Sequence, residues 1–386
     1  MLKRTVSVLV ATLAVVSACS GSGRKSQVPS TDEKAIEARL QKLTLREKVG
    51  QLFNTRPESI CPEFAASGQG MVTYALQEVT EGMKEFCKEY PVGGITLFAH
   101  NIDNPEQLCA FTAALHELPG HPLLAIDEEG GRVARIGNNR NFDVFRAGPA
   151  SEMGATGRPE NAYDMGKAIG TYLKQYGFDM DFAPVADVNT NPENIVIGNR
   201  AFSDQPEKAA PMVVKYLQGL ESTGIVGCLK HFPGHGDTKG DTHTGYVQTE
   251  KTWEEISRCE MVTFREGIKA GARMVMIAHI AAPGVTGNNL PATLSPVIIE
   301  EKLRGELGFD GVIITDAMGM GAISQHYSSA ESAVKCLQAG ADIILMPANF
   351  KEAFEAVIRA VENGEITEER IDRSVRRILR LKNTKN

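Results

Sequence analysis

The sequence predicts an α/β protein, a single-domain (β/α)8 TIM barrel, and three observations lead there. Eight short apolar runs recur along the 386 residues: Gln51–Asn54, Gly94–Phe98, Leu123–Ile126, Asp181–Val185, Ile225–Leu229, Met274–Ala278, Val312–Thr315 and Ile343–Met346. Runs that are apolar throughout, rather than alternating, mark parallel strands buried on both faces. Most are separated by amphipathic helical stretches, and eight such units over about 250 residues are what a closed barrel of this kind requires.

The helical stretches carry their own start and stop signals. Thr44 and Glu47 have capping-box spacing, and Leu45, Val49 and Leu52 follow at i, i+4 and i+7. The segment Ala330–Ala339 runs into Gly340, and another ends at Gly224, as helices with a left-handed stop do. The last helix is expected to start near Thr367 and to bury Ile371, Val375, Ile378 and Leu379. Its cations Arg376, Arg377, Arg380 and Lys382 suit the helix dipole and read as a solvated helix end. Only two helical segments follow Met346, so no second domain is expected. The stretch Arg56–Tyr90 reads as an insertion after strand 1.

The amino terminus reads as a secretory signal. Lys3 and Arg4 precede the apolar run Val6–Val16, which ends in Val16-Ser17-Ala18-Cys19. The run is shorter than the roughly 20 residues of a bilayer span. Cys19 after Val-Ser-Ala resembles a bacterial lipobox, in which the cysteine is acylated; an ordinary signal peptide with an incidental cysteine is the alternative. The expected layout is a signal peptide at 1–18, lipidated Cys19 and a flexible linker at 19–34, and the barrel at 35–386. It implies a lipid-anchored protein of the cell envelope, periplasmic or on the outer membrane, whose anchor holds it to the membrane. Six further cysteines remain. Cys228 and Cys336 read as buried thiols, and Cys61 and Cys87 flank a loop where pairing stays open. A formal charge of −7 argues against a nucleic-acid partner, and a monomer is expected.

In a barrel of this kind chemistry sits at the carboxyl ends of the strands. Strand 3 ends in Asp127, strand 5 in Lys230-His231, strand 6 in His279 and strand 7 in Asp316, with His100 near the end of strand 2. The densest constellation is Lys230–His243 (KHFPGHGDTKGDTH), which holds three of the eight histidines. A metal site is one reading of it, but Pro233 and the glycines break any helix that could present two histidines on one face. A surface loop with satisfied histidines is another. The second constellation, Asp127–Arg135 (DEEGGRVAR), combines acids, two arginines and glycines that let a ligand approach the backbone.

Together these segments, with Ile197–Phe202 (IGNRAF) and Ile314–Met320 (ITDAMGM), resemble glycoside hydrolase family 3, in its single-domain β-N-acetylhexosaminidase branch. The resemblance covers roughly residues 35–382. It implies that Asp316 is the nucleophile, that His243 is the general acid and base, and that Asp241 orients His243. It further implies that Asp127, Arg135, Arg200, Lys230 and His231 bind the sugar. His235 and Asp237 are expected to be loop scaffolding, and His279 and Arg132 to be structural. Glu128 departs from the family pattern and is expected to add negative charge near the sugar.

The implied activity is exo-acting, retaining removal of β-linked N-acetylglucosamine from peptidoglycan fragments (GlcNAc-containing muropeptides), with no metal or organic cofactor. The aglycone is expected to be N-acetylmuramic acid or its anhydro form. A phosphorylase on the same scaffold is the enzymatic alternative, because an imidazole acid/base does not repel phosphate as a carboxylate would. A non-catalytic sugar-binding lipoprotein is the alternative from another class. It would not require Asp316, Asp241 and His243 together.

Overall fold

A computed structural model describes residues 31–66, 76–242 and 245–383. The expected signal peptide, Cys19, most of the tether and His243 lie outside the described residues.

The eight apolar runs form eight parallel strands: β1 (Phe53–Thr55), β2 (Gly94–Thr96), β3 (Leu123–Ile126), β4 (Met180–Asp181), β5 (Val226–Phe232), β6 (Met274–Ile277), β7 (Val312–Thr315) and β8 (Ile344–Leu345). Each pairs in parallel with the next, and β1 also pairs with β8. A parallel bridge between Ile314 and Ile343 joins β7 to β8 and closes the ring. Every residue of these strands is buried, which is why the runs read as unbroken apolar stretches. A short parallel pair, Val247–Gln248 with Ile280–Ala281, lies beyond the ends of β5 and β6.

The crossover helices start where their caps direct. The Thr44–Glu47 capping box opens the helix Leu45–Gln51. Asn104 caps the helix Pro105–His116, with Pro105 in the first turn, where a missing N–H is harmless. The helix Ser329–Ala339 stops at Gly340, whose φ of 117° suits a residue without Cβ.

Three expectations change. The stretch Arg56–Tyr90 is an insertion only in part, because it contains the barrel's own crossover helix, Glu81–Glu89. That helix buries Met83 and Cys87 with Phe86 packed beside them, an i, i+3, i+4 set confined to nine residues. The helix Thr31–Leu40 begins inside the segment expected to be linker and sends Ile36 and Leu40 into the core. The basic end of the last helix, Glu368–Asn383, is paired rather than solvated. Arg376 binds Glu37, Arg380 binds Glu33 at 2.8 Å, and Lys382 donates to Gln51 and to two backbone carbonyls. Cys61, Cys87, Cys228 and Cys336 are all buried free thiols.

The amino-terminal floor of the barrel is tied by Asp342, which is fully buried just before β8. Its carboxylate accepts from Ile313 N–H at 2.9 Å and from Ser374 Oγ at 2.6 Å, and it pairs with Arg304 and Arg377. Removing one member of a buried ion pair strands the other charge. Asp342→Ala should therefore lower unfolding stability by about 3 kcal/mol or more, read as a lower urea midpoint.

Candidate active site

A cavity of about 450 Å³ opens at the carboxyl ends of the strands, within the range of roughly 300–1,000 Å³ typical of small-ligand sites. Asp127, Arg135, Arg200, Lys230, His231 and Asp316 all line it, so the structure brings six of the sequence-predicted site residues together. Thr242 also lines the cavity. Asp241 precedes it on the loop, its backbone carbonyl accepting from Gly245 N–H at 3.2 Å.

The charged floor is built around Lys230, whose side chain is 2% exposed. Its ammonium donates to Asp127 Oδ1 at 2.8 Å and lies 2.6 Å from Glu129 Oε1. Arg200 grips Glu129 through two bonds, Nε to Oε2 at 2.8 Å and Nη2 to Oε1 at 2.7 Å. Arg135 Nη2 reaches Asp127 Oδ2 at 3.3 Å. Burial alone would raise both carboxyls, but the Lys230 ammonium and the guanidiniums of Arg135 and Arg200 hold Asp127 and Glu129 below the ordinary carboxylate range. Lys230 is correspondingly pushed up: burial opposes its charge, and Asp127 and Glu129 more than compensate.

Lys230 and His231 are adjacent and should face opposite sides of a regular strand. The β5–β6 register slips between Leu229 and Phe232, and both side chains reach the cavity. His231 Nδ1 lies 2.7 Å from Asp187 Oδ2. An ionised carboxylate only accepts, so Nδ1 carries the proton of this bond and the ring's Nε2 is left for another partner. Asp187 also accepts from the backbone N–H groups of His231 and His235. The loop can sit this close because residue 236 is glycine: a Cβ there would lie 1.9 Å from the Val188 carbonyl oxygen.

Asp316 follows the last residue of β7. Its N–H donates to the Ile277 carbonyl at 2.8 Å, and its Oδ1 accepts from Ala317 N–H at 2.7 Å. Burial pushes its carboxyl up, but the imidazoles of His279 and His231, the Ala317 N–H and Lys230 outweigh it and favour the carboxylate. His279 Nε2 lies 2.9 Å from the Ala317 carbonyl and Nδ1 lies 2.6 Å from Thr293 Oγ1, so it supports the backbone beside Asp316. Arg132 donates to the Ile195 and Val196 carbonyls, and Asp237 accepts from Thr190 and Thr249. His235 Nδ1 bonds Thr238 at 2.7 Å, although its ring also borders the cavity. His100 pairs with Glu58 at 3.1 Å.

Glu128 corrects an expectation. It is fully buried and turned away from the cavity, accepting from the N–H groups of Arg135, Ile136 and Gly137 and from the Tyr172 hydroxyl. The glutamate that faces the cavity is instead Glu129, which the sequence reading left unassigned. Asp187 and Arg56 are also absent from that reading, although Arg56 follows β1 directly, as Asp127 follows β3, and Asp187 lies six residues beyond β4. Among the described residues no group of three His, Cys, Asp or Glu side chains is arranged to hold a metal.

The depressed carboxyls couple this cluster to folding. Because Glu129 and Asp127 titrate lower in the folded chain than in the unfolded one, their stabilisation is complete above about pH 4.5 and fades as pH falls toward their folded values. Urea midpoints at pH 6 and pH 3 should show this loss in the wild type. The Glu129→Gln variant should be less stable at pH 6 and should lose less between the two.

The sequence matches the family described as "Glycosyl hydrolase family 3 N terminal domain" over residues 44–381. It is 34% identical over 369 residues to β-hexosaminidase A of Pseudoalteromonas piscicida, covering 88% of this chain and 61% of that one. It is 32% identical over 409 residues to the β-hexosaminidase LpqI of Mycobacterium tuberculosis, covering 98% and 97% of the two chains. A family 3 β-N-acetylglucosaminidase from Paenibacillus superposes with a TM-score of 0.80 at 39% identity, over 89% of this chain and 62% of that one. The chain thus spans about three fifths of the length of the Pseudoalteromonas and Paenibacillus proteins. With the family's motifs converging at the mouth of a closed barrel, the chain belongs to glycosyl hydrolase family 3.

Proposed function

We propose that the chain is an exo-acting, retaining β-N-acetylglucosaminidase that releases terminal N-acetylglucosamine from peptidoglycan-derived sugars. The observation that supports it most is Asp316, a carboxylate favoured in its ionised form at a strand end, facing a cavity in which Asp127, Glu129, Lys230, Arg135 and Arg200 are already oriented by one another. The relatives described as β-hexosaminidase and β-N-acetylglucosaminidase support the choice of sugar.

In this reading Asp316 attacks the anomeric carbon while His243, steadied by Asp241, protonates the glycosidic oxygen. The bond to the leaving sugar breaks, and the glycosyl group is held as an ester on Asp316. His243 then takes a proton from water, which attacks the same carbon from the face the leaving group vacated and breaks its bond to Asp316, releasing the free carboxylate. Two inversions retain the configuration. Asp127 and Arg135 hold sugar hydroxyls, with Arg200, Lys230 and His231 completing the pocket. The proposal extends to an envelope protein held by a lipid on Cys19 and acting as a monomer. The Lys3-Arg4 pair, the Val6–Val16 run and Val-Ser-Ala before Cys19 support the anchor.

Hydrolysis of an aryl β-N-acetylglucosaminide, set beside the corresponding β-glucoside, tests the activity. The N-acetyl substrate should be cleaved in preference, and Asp316→Ala should slow turnover by roughly 10³-fold or more while still binding the sugar. An Asp316→Ala enzyme of undiminished rate removes the nucleophile assignment, and preference for the glucoside removes the substrate assignment. His243→Ala should slow substrates with poor leaving groups much more than activated aryl ones; equal slowing counts against the acid role. Repeating the assay with phosphate separates hydrolysis from phosphorolysis by product. Cys19→Ala should move the protein from the membrane fraction to the soluble fraction of its host.

A further inference from the structure

Of the four cations that line the cavity, Arg56 alone makes no ion pair among the described residues. The cluster Arg135–Asp127–Lys230–Glu129–Arg200 has three cations and two anions. Asp316, at the end of β7, lines the same cavity as an ionised carboxylate. Arg56 follows β1 directly and lines that cavity too, and among the described residues its buried Nε has no hydrogen-bond partner. Burial disfavours its charge, and the Glu58 carboxylate two residues on offsets that only in part. Glu58 Oε1 accepts from Asn101 at 2.8 Å and lies 3.1 Å from His100 Nε2, and no hydrogen bond joins Glu58 to Arg56. A guanidinium with a buried N–H that has no acceptor is costly unless a ligand completes it.

Topology separates this cation from the paired cluster. Strand order runs β1 to β8 around the ring, so β1 stands opposite β5, which carries Lys230. The sugar-binding cluster comes from the ends of β3, β4 and β5, and Arg56 faces it across the cavity. A substrate spanning the cavity would meet the cluster at one end and Arg56 at the other.

We infer that Arg56 is a specificity-determining residue that pairs with an anionic substituent, a carboxylate, on the sugar adjoining the one cleaved off. This rests on the proposed glycosidase activity and adds to it the residue that reads the leaving group. A planar guanidinium matches a carboxylate through two parallel N–H donors, an arrangement that an ester or a neutral sugar cannot reproduce.

The test compares a disaccharide of N-acetylglucosamine β-linked to N-acetylmuramic acid with its methyl ester, which differ in that one charge. Wild-type kcat/KM should favour the acid by about tenfold or more, the scale of a lost hydrogen bond to a charged group. In Arg56→Gln the ratio of acid to ester should collapse to near one, carried mainly by KM, and Arg56→Lys should restore part of it. A wild type that does not distinguish acid from ester overturns the inference, as does an Arg56→Gln ratio equal to that of the wild type. Calorimetric binding of the two ligands to Asp316→Ala, with and without Arg56→Gln, reads the same ratio without turnover. Failure of the glycosidase reading shows instead as an inactive wild type on the aryl N-acetylglucosaminide.

Discussion

The ammonium of Lys230 organises the mouth of the barrel. It lies at the end of β5 with almost no contact with water, where an uncompensated cation would not be tolerated. Asp127 and Glu129, both from the loop after β3, supply the compensation, and each carboxylate in turn holds an arginine. Ends of three strands are thereby locked into one arrangement before any substrate arrives. Such a site is pre-organised: its donors and acceptors are already oriented by one another, so a ligand entering it does not have to order them.

The same loop shows how two successive acids acquire opposite duties. Glu128 and Glu129 differ only in which way the extended backbone turns them. One is driven inward against three backbone N–H groups and Tyr172, where it fixes the path of residues 135–137. The other faces the cavity and holds Lys230 and Arg200. Glu128 therefore acts on the sugar site only by placing Arg135, whose N–H it accepts. Asp187 has a comparable indirect part, since it sets the proton of His231 and seats the loop on which His235 lies.

Much of this was legible in the sequence because burial on both faces leaves an unmistakable pattern. All eight apolar runs coincide with strands, and asking what terminates each run located Asp127, Lys230, His231 and Asp316. The weak points have physical causes. Glu81–Glu89 is a barrel helix of only nine residues, and its Met83, Phe86 and Cys87 face is short enough to be taken for part of the loop around it. The basic tail of the last helix looked solvated because its partners, Glu33, Glu37 and Asp310, are distant in sequence. Which of three consecutive acids faces the cavity depends on backbone direction beyond β3, which composition does not encode. Asp187 and Arg56 were within reach, as polar residues that follow β4 and β1, but the apolar runs there were not followed to their ends.

The ion pairs of the last helix also determine how the molecule is presented. Arg376 and Arg380 bind Glu37 and Glu33 on the first described helix, while Arg377 binds Asp310, just ahead of β7. Thr31 therefore leaves the molecule near the floor of the barrel, on the side away from the cavity. A chain fixed to any surface by residues before Thr31 would stand with its opening outward. Large ligands could then approach the opening without the attachment in their way.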